Sequence, residues 1–299
     1  MKIRSLFRRS GQHQLRESRR KVIEKSIEER FALEISLLKG EAPPLSEHRS
    51  VIHFSLNKSA TQYVKSILRK LADEQGMRLA ALNDYAFQSD LPYLDKVSTD
   101  EIEQYQHVFY PNGIVYSAFG GMVQGIKRLE DYSIILMIRD PRDILVSMYF
   151  SKAKIHRSPR KESGKREDFD RERSLAQQMS VDEYVLHEME DLRSRFAQYE
   201  ELLGDAGCHV HLVKYEDMVT DFDDWLDKLI LFCDFRPGPK IIEGLRRRHR
   251  KRIPKAENQD RHLRKGLPGD YAEKLKPETI SALNSYFSNV MKRFGYSEI

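Results

Sequence analysis

The sequence has little cysteine and no long hydrophobic run. Only two of its 299 residues are cysteine, Cys208 and Cys233. Neither lies in a C-x-x-C or Cys/His cluster, so we expect two core thiols, no disulfide framework and no structural zinc. No apolar run approaches the roughly 20 residues that span a bilayer, and the N-terminal sequence lacks the apolar stretch of a signal peptide. These absences predict a cytoplasmic protein.

A large excess of one charge is also missing. The chain carries 51 Lys and Arg against 46 Asp and Glu, a formal net charge of +5. Net charge therefore says little about partners, and its distribution says more. Residues 153–178 are dense in both signs and nearly free of large apolar groups, which favours a mobile surface loop or a lid. Residues 246–252 form a basic run, which we interpret as solvated surface.

Residues 1–45 form a basic extension ahead of the domain that we assign to residues 46–299. Its second half is helix-like, because apolar residues fall roughly on one face, and Pro43-Pro44 closes the segment; the apolar residues are Ile23, Ile27, Phe31, Leu33 and Leu37. Two interpretations stay open. The extension is a solvated arm with one helix packed on the domain, or it contacts an acidic surface such as anionic lipid or a polyanion.

Strand and helix patterns alternate from Val51 onwards. A short apolar strand, Val51–Leu56, runs into a helix whose apolar residues have the spacing of one buried face. Residues 133–138 are continuously apolar, as expected for a strand that is covered on both faces of a parallel sheet. Further strands are indicated at 77–82, 114–119 and 210–215. This alternation predicts a single doubly wound α/β domain with a central parallel sheet.

The first strand ends in Asn57-Lys58-Ser59-Ala60-Thr61, and a helix begins at once. Free backbone N–H groups at a helix start attract anions, and Lys58 adds a positive charge. The Walker A pattern is absent, because no glycine precedes the lysine at the required spacing. A loop this short would hold one phosphate rather than wrap a triphosphate. Taken alone, the pattern also fits a purely structural turn.

A second motif, Arg139 to Ser147, follows the apolar strand at 133–138. Asp140 is a natural helix N-cap and Pro141 suits the first helical turn. Arg139 then lies at the carboxyl end of the strand, where ligands bind in open α/β sheets. Ser147 can face the same ligand two turns later, so the pair can hold a second phosphate. We expect the two residues after Pro141, Arg142 and Asp143, to cap the helix and pair at the surface.

Taken together, these motifs resemble the paired phosphate-binding signatures of the sulfotransferase family that uses 3′-phosphoadenosine-5′-phosphosulfate (PAPS). Residues 212–217 are similar to the family's late strand, and residues 264–271 to its C-terminal R-K-G-x-x-G-D-W loop. The resemblance covers residues 51–295 in the family's order. It implies a phosphate-binding loop similar to a P-loop, transfer of a sulfuryl group from PAPS to an acceptor hydroxyl or amine, release of the bisphosphate PAP, and no need for a metal.

The resemblance also implies roles for individual residues. Lys58 would neutralise the bridging and leaving oxygens. The 5′-phosphate would be held by Ser59, Thr61 and the backbone N–H groups that include those of Ala60 and Gln62. The adenine would meet Tyr63 and Tyr215. The 3′-phosphate would be held by Arg139, Ser147 and the loop that contains Arg264, Lys265 and Gly266.

Several positions depart from the family pattern. Ala60 stands where glycine is usual, Gln62 where threonine is usual, and Tyr271 replaces a tryptophan. Ser117 lies near the place of the histidine base of the cytosolic branch. We therefore name Asp84, just past the second predicted strand, as the first candidate for the general base.

His107 is the second candidate base. As bland alternatives, Asp84 would cap a turn or helix and His107 would be a surface histidine. The runner-up activity is a P-loop-type small-molecule kinase, which would need a triphosphate loop and magnesium ligands. A binder of polyanions or membrane surfaces is the non-enzymatic alternative. We expect no specific nucleic acid. The acceptor, whether small molecule, lipid, glycan or peptide tyrosine, is not readable from the sequence, since acceptor contacts lie in variable loops.

Overall fold

A five-stranded parallel sheet forms the centre of the protein. The computed structural model describes residues 27–41, 45–155, 158–159, 164–252 and 266–297. The strands lie in the order β2-β3-β1-β4-β5, and every pairing is parallel. In chain order the strands are β1 (Val51–Ser55), β2 (Arg78–Ala80), β3 (Ile114–Phe119), β4 (Ser133–Ile138) and β5 (His209–Lys214).

Helices cover both faces of this sheet. They are α1 (Ile27–Arg30), α2 (Ala32–Leu38), α3 (Thr61–Glu74), α4 (Leu82–Gln88), α5 (Pro141–Phe150), α6 (Lys165–Gln178), α7 (Val181–Gly204), α8 (Tyr215–Thr220), α9 (Phe222–Phe232), α10 (Pro239–Arg250), α11 (Tyr271–Lys274), α12 (Pro277–Tyr286) and α13 (Ser288–Phe294). Two 3₁₀ helices, Glu101–Val108 and Leu129–Asp131, and one π-helical turn, Ser151–Ile155, complete the elements.

Strand β4 shows why its sequence is continuously apolar. All six of its residues are buried. Ile134 and Leu136 pack into the core on the face that α5, α7 and α13 cover. Ile135 and Met137 pack into the second core, beneath α3 and α9. Burial on both faces confirms the predicted doubly wound α/β fold.

The sheet order brings the two predicted phosphate motifs together. β1 lies directly beside β4, and the backbone N–H of Leu56 donates to the carbonyl of Met137 at 3.1 Å. Because both strands run in the same direction, the loop after β1 and the loop after β4 leave the same edge. Lys58 and Arg139 are therefore neighbours although 81 residues separate them.

The described part of the N-terminal extension packs on the domain. Phe31 and Leu37 are buried, and the Phe31 ring lies 5.4 Å from that of Tyr85 on α4. Glu34 is also buried, and its Oε1 accepts the backbone N–H of Ala81 at 2.6 Å. This carboxylate satisfies a donor at the start of α4. Residues 1–26, which include Ile23, and Pro43-Pro44 lie outside the described residues.

Two charged stretches differ from their predicted form. Much of 153–178 is helical, because α6 covers 165–178. Residues 246–250 belong to α10, and His249 is buried against Phe222 rather than solvated, at a ring distance of 3.9 Å. Even these polar segments therefore form helices, and in α10 one face of the helix packs against the protein. Both cysteines are free; Cys233 is buried, whereas Cys208 is only half-buried.

A buried histidine in β1 makes stability depend on pH. His53 is fully buried beside β3, and its Nδ1 lies 2.9 Å from Ser117 Oγ. Burial, helped by the charge of Lys65, lowers the pKa of His53 to about 3. A histidine in the unfolded chain has a pKa of about 6.5. Below that pH the unfolded chain therefore binds a proton at His53 that the folded chain does not bind. The contribution of His53 to stability is therefore greatest above pH 6.5 and decreases as the pH drops toward 3.

We expect the free energy of unfolding to decrease below pH 6.5 by up to about 1.4 kcal/mol per pH unit for this one group. Urea unfolding at several pH values between 4.5 and 8 measures the slope. The variant His53→Gln should reduce that slope by about one proton. Equal slopes in the two proteins would contradict the assignment to His53.

Candidate active site

The loop after β1 holds its anion-binding groups in a tight turn. Lys58 and Ala60 both have left-handed backbone conformations, with φ of 71° and 61°. α3 starts immediately after, at Thr61, and Thr61 Oγ1 lies 2.9 Å from Ser55 Oγ. Ser59 is fully buried, and its Oγ has no partner in the described structure. The loop therefore presents an orphaned hydroxyl and a helix N-terminus together.

Ala60 is strained in this turn, because a Cβ disfavours the left-handed region by roughly 1–2 kcal/mol. The usual glycine avoids that cost. We expect Ala60→Gly to stabilise the protein by about 0.5–1 kcal/mol, since glycine's greater unfolded-state entropy offsets only about 0.4–1 kcal/mol. Thermal or urea unfolding measures the change.

The matched control is Ala282→Gly. Ala282 is exposed within α12, so the same substitution there should destabilise by about 1 kcal/mol. If the backbone conformation determines the effect, the two substitutions change the free energy of unfolding in opposite directions. Destabilisation at both positions would show that Ala60 carries no strain.

Arg139 joins the two phosphate motifs. Its Nη1 donates to the Lys58 carbonyl at 3.0 Å, and its Nη2 lies 3.2 Å from Asp143 Oδ2. Its guanidinium lies 4.3 Å from the ring centroid of Tyr215. The side chain is almost fully buried, and its Nε has no partner among the described residues. Ser147 follows Asp143 by one helical turn, so these two side chains lie on the same side of α5.

Asp143 and its neighbour Arg142 are buried, which corrects the expectation of surface pairing. The Asp143 carboxylate accepts the backbone N–H groups of Gly269 and Tyr271 at 2.9 and 3.0 Å. Arg142 bonds to the Asp140 carboxylate, at 2.7 Å for the closest pair, and lies 4.0 Å from the Tyr271 ring centroid. Asp140 also caps α5, as predicted, by accepting the N–H of Arg142.

These bonds attach the C-terminal segment to the second phosphate motif. Gly266 begins the described part of that segment, with a left-handed φ of 74°. Arg264 and Lys265 lie outside the described residues, so their assignment to the 3′-phosphate stays a prediction. The contacts of Asp143 nonetheless bring the segment that follows them onto α5. Sequence analysis missed this role, because i,i+4 spacing alone does not distinguish a buried carboxylate from an exposed one.

Tyr63 lies under a basic residue that sequence analysis assigned to solvated surface. Tyr63 is 2% exposed, and its hydroxyl lies 3.0 Å from His249 Nδ1. The Arg252 guanidinium covers its ring at 3.9 Å. Burial raises the pKa of Tyr63, whereas the charges of Arg252 and Arg248 lower it. A purine at this ring would have to share or displace the Arg252 contact.

A cavity of about 1730 Å³ opens beside the phosphate loop. Lys58, Thr61, Gln62 and Asp84 are among the residues that line it, whereas His107 is not. Asp84 lies in the first turn of α4, bonds to the buried Lys65 ammonium, and accepts Gln62 Nε2 at 3.3 Å. The first candidate base therefore lies in the wall of the same cavity as Lys58, whereas the second does not. His107 Nε2 lies 3.1 Å from the Leu38 carbonyl.

Asp95 is a cavity residue that sequence analysis missed. Its carboxylate accepts Asn83 Nδ2 at 2.9 Å and the N–H of Gly121 at 2.8 Å. A side chain at Gly120 would come within 3.1 Å of Asn57 Oδ1 and 3.3 Å of Asp95 Oδ2. The glycine pair after β3 was the available signal, because adjacent glycines often mark close approach of the backbone. Ser117, in contrast, is buried within β3 against His53.

Neither metal ligands nor membrane spans are evident in the described ranges. There, no group of three or more His, Cys, Asp or Glu side chains is arranged to hold a metal ion. No helix in those ranges combines the length and the hydrophobicity that crossing a bilayer requires.

Comparison with known proteins identifies the family. A model described as the sulfotransferase domain matches residues 48–295. The protein therefore belongs to the sulfotransferase family, as the motif resemblance implied. No curated protein matches the chain by sequence.

One solved structure, with a TM-score above 0.5, supports the same fold, and two others have lower similarity. A mouse sulfotransferase complexed with PAP is 18% identical, with a TM-score of 0.55, over 87% of this chain and 89% of the mouse chain. Retinol dehydratase in complex with androsterone and PAP is 15% identical, with a TM-score of 0.48, over 88% and 86% of the two chains. A sulfotransferase from Mycobacterium avium is 12% identical, with a TM-score of 0.47, over 91% and 82%.

Proposed function

We propose that the protein transfers the sulfuryl group of PAPS to a hydroxyl or amine of its acceptor. The proposal rests mainly on the contact between the two phosphate motifs: Arg139 Nη1 donates to the carbonyl of Lys58 at 3.0 Å. One edge of the sheet can therefore hold a sulfuryl-donor nucleotide that has two separate phosphate groups. The mouse structure complexed with PAP supports this choice of donor.

The residues present suit a nucleotide with a 5′- and a 3′-phosphate. Ser59 Oγ and Arg139 Nε are buried donors with no partner in the described structure, and a buried donor of this kind is costly unless a ligand satisfies it. At the start of α3 the N–H groups of Tyr63 and Val64 donate to the carbonyl of Ala60, which leaves those of Thr61 and Gln62 without an acceptor inside the helix. We assign the 5′-phosphate to this loop and the 3′-phosphate to Arg139 and Ser147, with Arg264 and Lys265 proposed as further contacts.

The mechanism requires charge stabilisation and a base. PAPS, when bound, supplies the sulfuryl group and a phosphate leaving group. Lys58 holds positive charge where negative charge develops on the leaving oxygens. Asp84, which lines the same cavity, accepts the acceptor's proton. The tight loop and the Arg139 contact keep these groups oriented without further rearrangement.

Lys58→Met should lower turnover about 10²–10³-fold, because removing one group that stabilises transition-state charge has an effect of that size. PAP affinity should change much less, since the backbone and Arg139 remain. Steady-state kinetics at saturating PAPS and calorimetry with PAP separate the two quantities. Lys70→Met is the matched control, because Lys70 is exposed on α3, the helix that follows the loop of Lys58. Normal turnover in Lys58→Met would remove the catalytic role.

Binding of PAP compared with ATP–Mg²⁺ tests the proposed function. PAP should raise the melting temperature and titrate to one site in the absence of metal, because it binds the folded state alone. A shift with ATP–Mg²⁺ and none with PAP would favour the kinase alternative and refute the sulfotransferase proposal.

A cytoplasmic location and any contact of the basic N-terminus with an acidic surface stay predictions from the sequence.

A further inference from the structure

We propose that Arg252 recognises the 3′-phosphate of the donor nucleotide and covers the ring of Tyr63 until that nucleotide binds. The inference rests on the proposed sulfotransferase function and adds a specificity residue to the same donor site. It is carried by the contact of the Arg252 guanidinium with Tyr63, by the lack of an anionic partner for Arg252 among the described residues, and by its place between the two phosphate motifs.

The C-terminal end of α10 holds Arg252 over α3. His249, one turn earlier, is buried. Its ring stacks on Phe222 at 3.9 Å, and its Nδ1 lies 3.0 Å from the Tyr63 hydroxyl. The backbone N–H of Arg252 donates to the His249 carbonyl at 2.8 Å. The buried contacts of His249 therefore fix the backbone from which the Arg252 side chain extends.

The Arg252 guanidinium occupies the ring face that a purine needs. It lies 3.9 Å from the centroid of the Tyr63 ring, which is a contact distance. A base inserted between the two groups would need twice that spacing, about 7–8 Å. Tyr63 is only 2% exposed, so almost none of its surface is open elsewhere. A base that stacks on Tyr63 therefore displaces Arg252 instead of sharing the ring with it.

The charge of Arg252 is not balanced within the described ranges. There, its guanidinium contacts the Tyr63 ring but makes neither an ion pair nor a hydrogen bond. Burial lowers the pKa of Arg252, and the charge of Arg248 lowers it as well. A guanidinium has five N–H donors and stays charged in proteins. An anion that reaches Arg252 therefore gains charge-assisted hydrogen bonds.

The site assigned to the 3′-phosphate is the nearest place for such an anion. Burial raises the pKa of both Tyr63 and Tyr215, and the charge of Arg252 lowers both. Arg252 is thus close to Tyr215 as well as to Tyr63. The Arg139 guanidinium lies 4.3 Å from the Tyr215 ring centroid. The two arginines therefore lie around the same tyrosine, and neither lines the cavity beside Lys58.

Donor binding exchanges one contact of Arg252 for another. The base takes the ring of Tyr63, and the released guanidinium turns to the phosphate that Arg139 also holds. Arginine suits both positions, because its planar guanidinium stacks on aromatic rings and binds phosphate through parallel N–H groups. A nucleotide without a 3′-phosphate also displaces the guanidinium but offers it no anion there. Arg252 therefore discriminates between nucleotides with and without this phosphate.

Calorimetry with PAP and with adenosine 5′-monophosphate (AMP), which lacks the 3′-phosphate, tests this role in the full-length protein. If the unmodified protein binds no PAP, the proposed function itself is refuted. Arg252→Ala should weaken PAP binding by about 10–100-fold, as expected for the loss of a charge-assisted contact. AMP should bind as tightly as before or more tightly, because the Tyr63 ring is then open. Where the heat of AMP binding is small, the melting temperature at increasing AMP concentration gives the affinity.

Arg250→Ala is the matched control, because Arg250 is an exposed cation on α10, two residues before Arg252. Water and salt screen such a charge, so this variant should change neither affinity by more than about twofold. Unchanged AMP binding also shows that Arg252→Ala is folded.

Three results would overturn the proposal. Equal weakening of PAP and AMP in Arg252→Ala would show that Arg252 binds the base. Unchanged or tighter PAP binding in that variant would show that Arg252 only covers the ring. An equal loss of PAP affinity in Arg250→Ala would show that the general positive charge of α10, and not a contact of Arg252, attracts the nucleotide.

Discussion

Asp84→Asn should lower turnover by about 10²–10⁴-fold, the usual contribution of a general base. Asparagine keeps the shape of the side chain but cannot take a proton. PAP should still bind normally, because Asp84 lies on α4, outside both phosphate motifs. Among the described residues, its one hydrogen bond to a predicted phosphate-binding residue comes from the side chain of Gln62. Single-turnover kinetics at saturating donor measure the effect, with an acceptor found by screening candidate compounds against labelled PAPS.

The ion pair of Asp84 with Lys65 requires a specific control. Lys65 is almost fully buried, so Asp84→Asn also leaves an ammonium without its counter-ion. Lys65→Met breaks the same pair and keeps the carboxylate. If both variants lose turnover equally, the pair has a structural role and Asp84 is not the base. Asp95→Asn then becomes the next test within the cavity, and His107→Gln the test of the second sequence candidate.

Asp143→Ala should destabilise the protein by about 3–5 kcal/mol, because removing one partner of a buried pair leaves an uncompensated charge. The Asp143 side chain is fully buried and Arg139 is nearly so. The same carboxylate accepts two backbone N–H groups of the C-terminal segment. We therefore expect a lower urea midpoint and, in the remaining folded protein, weaker PAP binding.

Asp224→Ala is the matched control for Asp143. Asp224 and Lys228 form an i,i+4 pair like Asp143 and Arg139, at 2.7 Å, but both side chains are more than half exposed. Exposed pairs contribute little, since water screens them. The control should unfold at nearly the same urea concentration as the unmodified protein. Similar losses in both variants would show that burial is not the cause of the Asp143 effect.

The elements that could be predicted from sequence are those with local causes. β4 is apolar without interruption because both of its faces are covered, and it occupies 133–138 as predicted. Asp140 and Pro141 start α5 through their own backbone preferences. The family follows from motifs in a fixed order, and the matching domain model spans 48–295. Each of these signals lies within a few residues of the feature it specifies.

The errors concern groups whose environment comes from distant parts of the chain. The segment 246–252 was predicted to be solvated, yet His249 stacks on Phe222 and Arg252 covers Tyr63. The segment 153–178 was predicted to be a mobile loop or a lid; its residues 165–178 form α6 instead of a loop, and this helix contributes residues to the cavity wall. A polar segment is exposed unless another element packs against it. The sequence of the segment does not show where that other element lies.

Sequence alone therefore determined the parallel α/β fold, the family, and the two short motifs that carry Lys58 and Arg139. Tertiary structure decided that these motifs touch, because β1 and β4 are neighbours in the sheet. It also decided that Asp143 is a buried anchor and that Asp95, not His107, shares a cavity with Asp84. Backbone preference and hydrophobic period are local properties, whereas burial, charge pairing and cavity shape arise only when separate segments pack together.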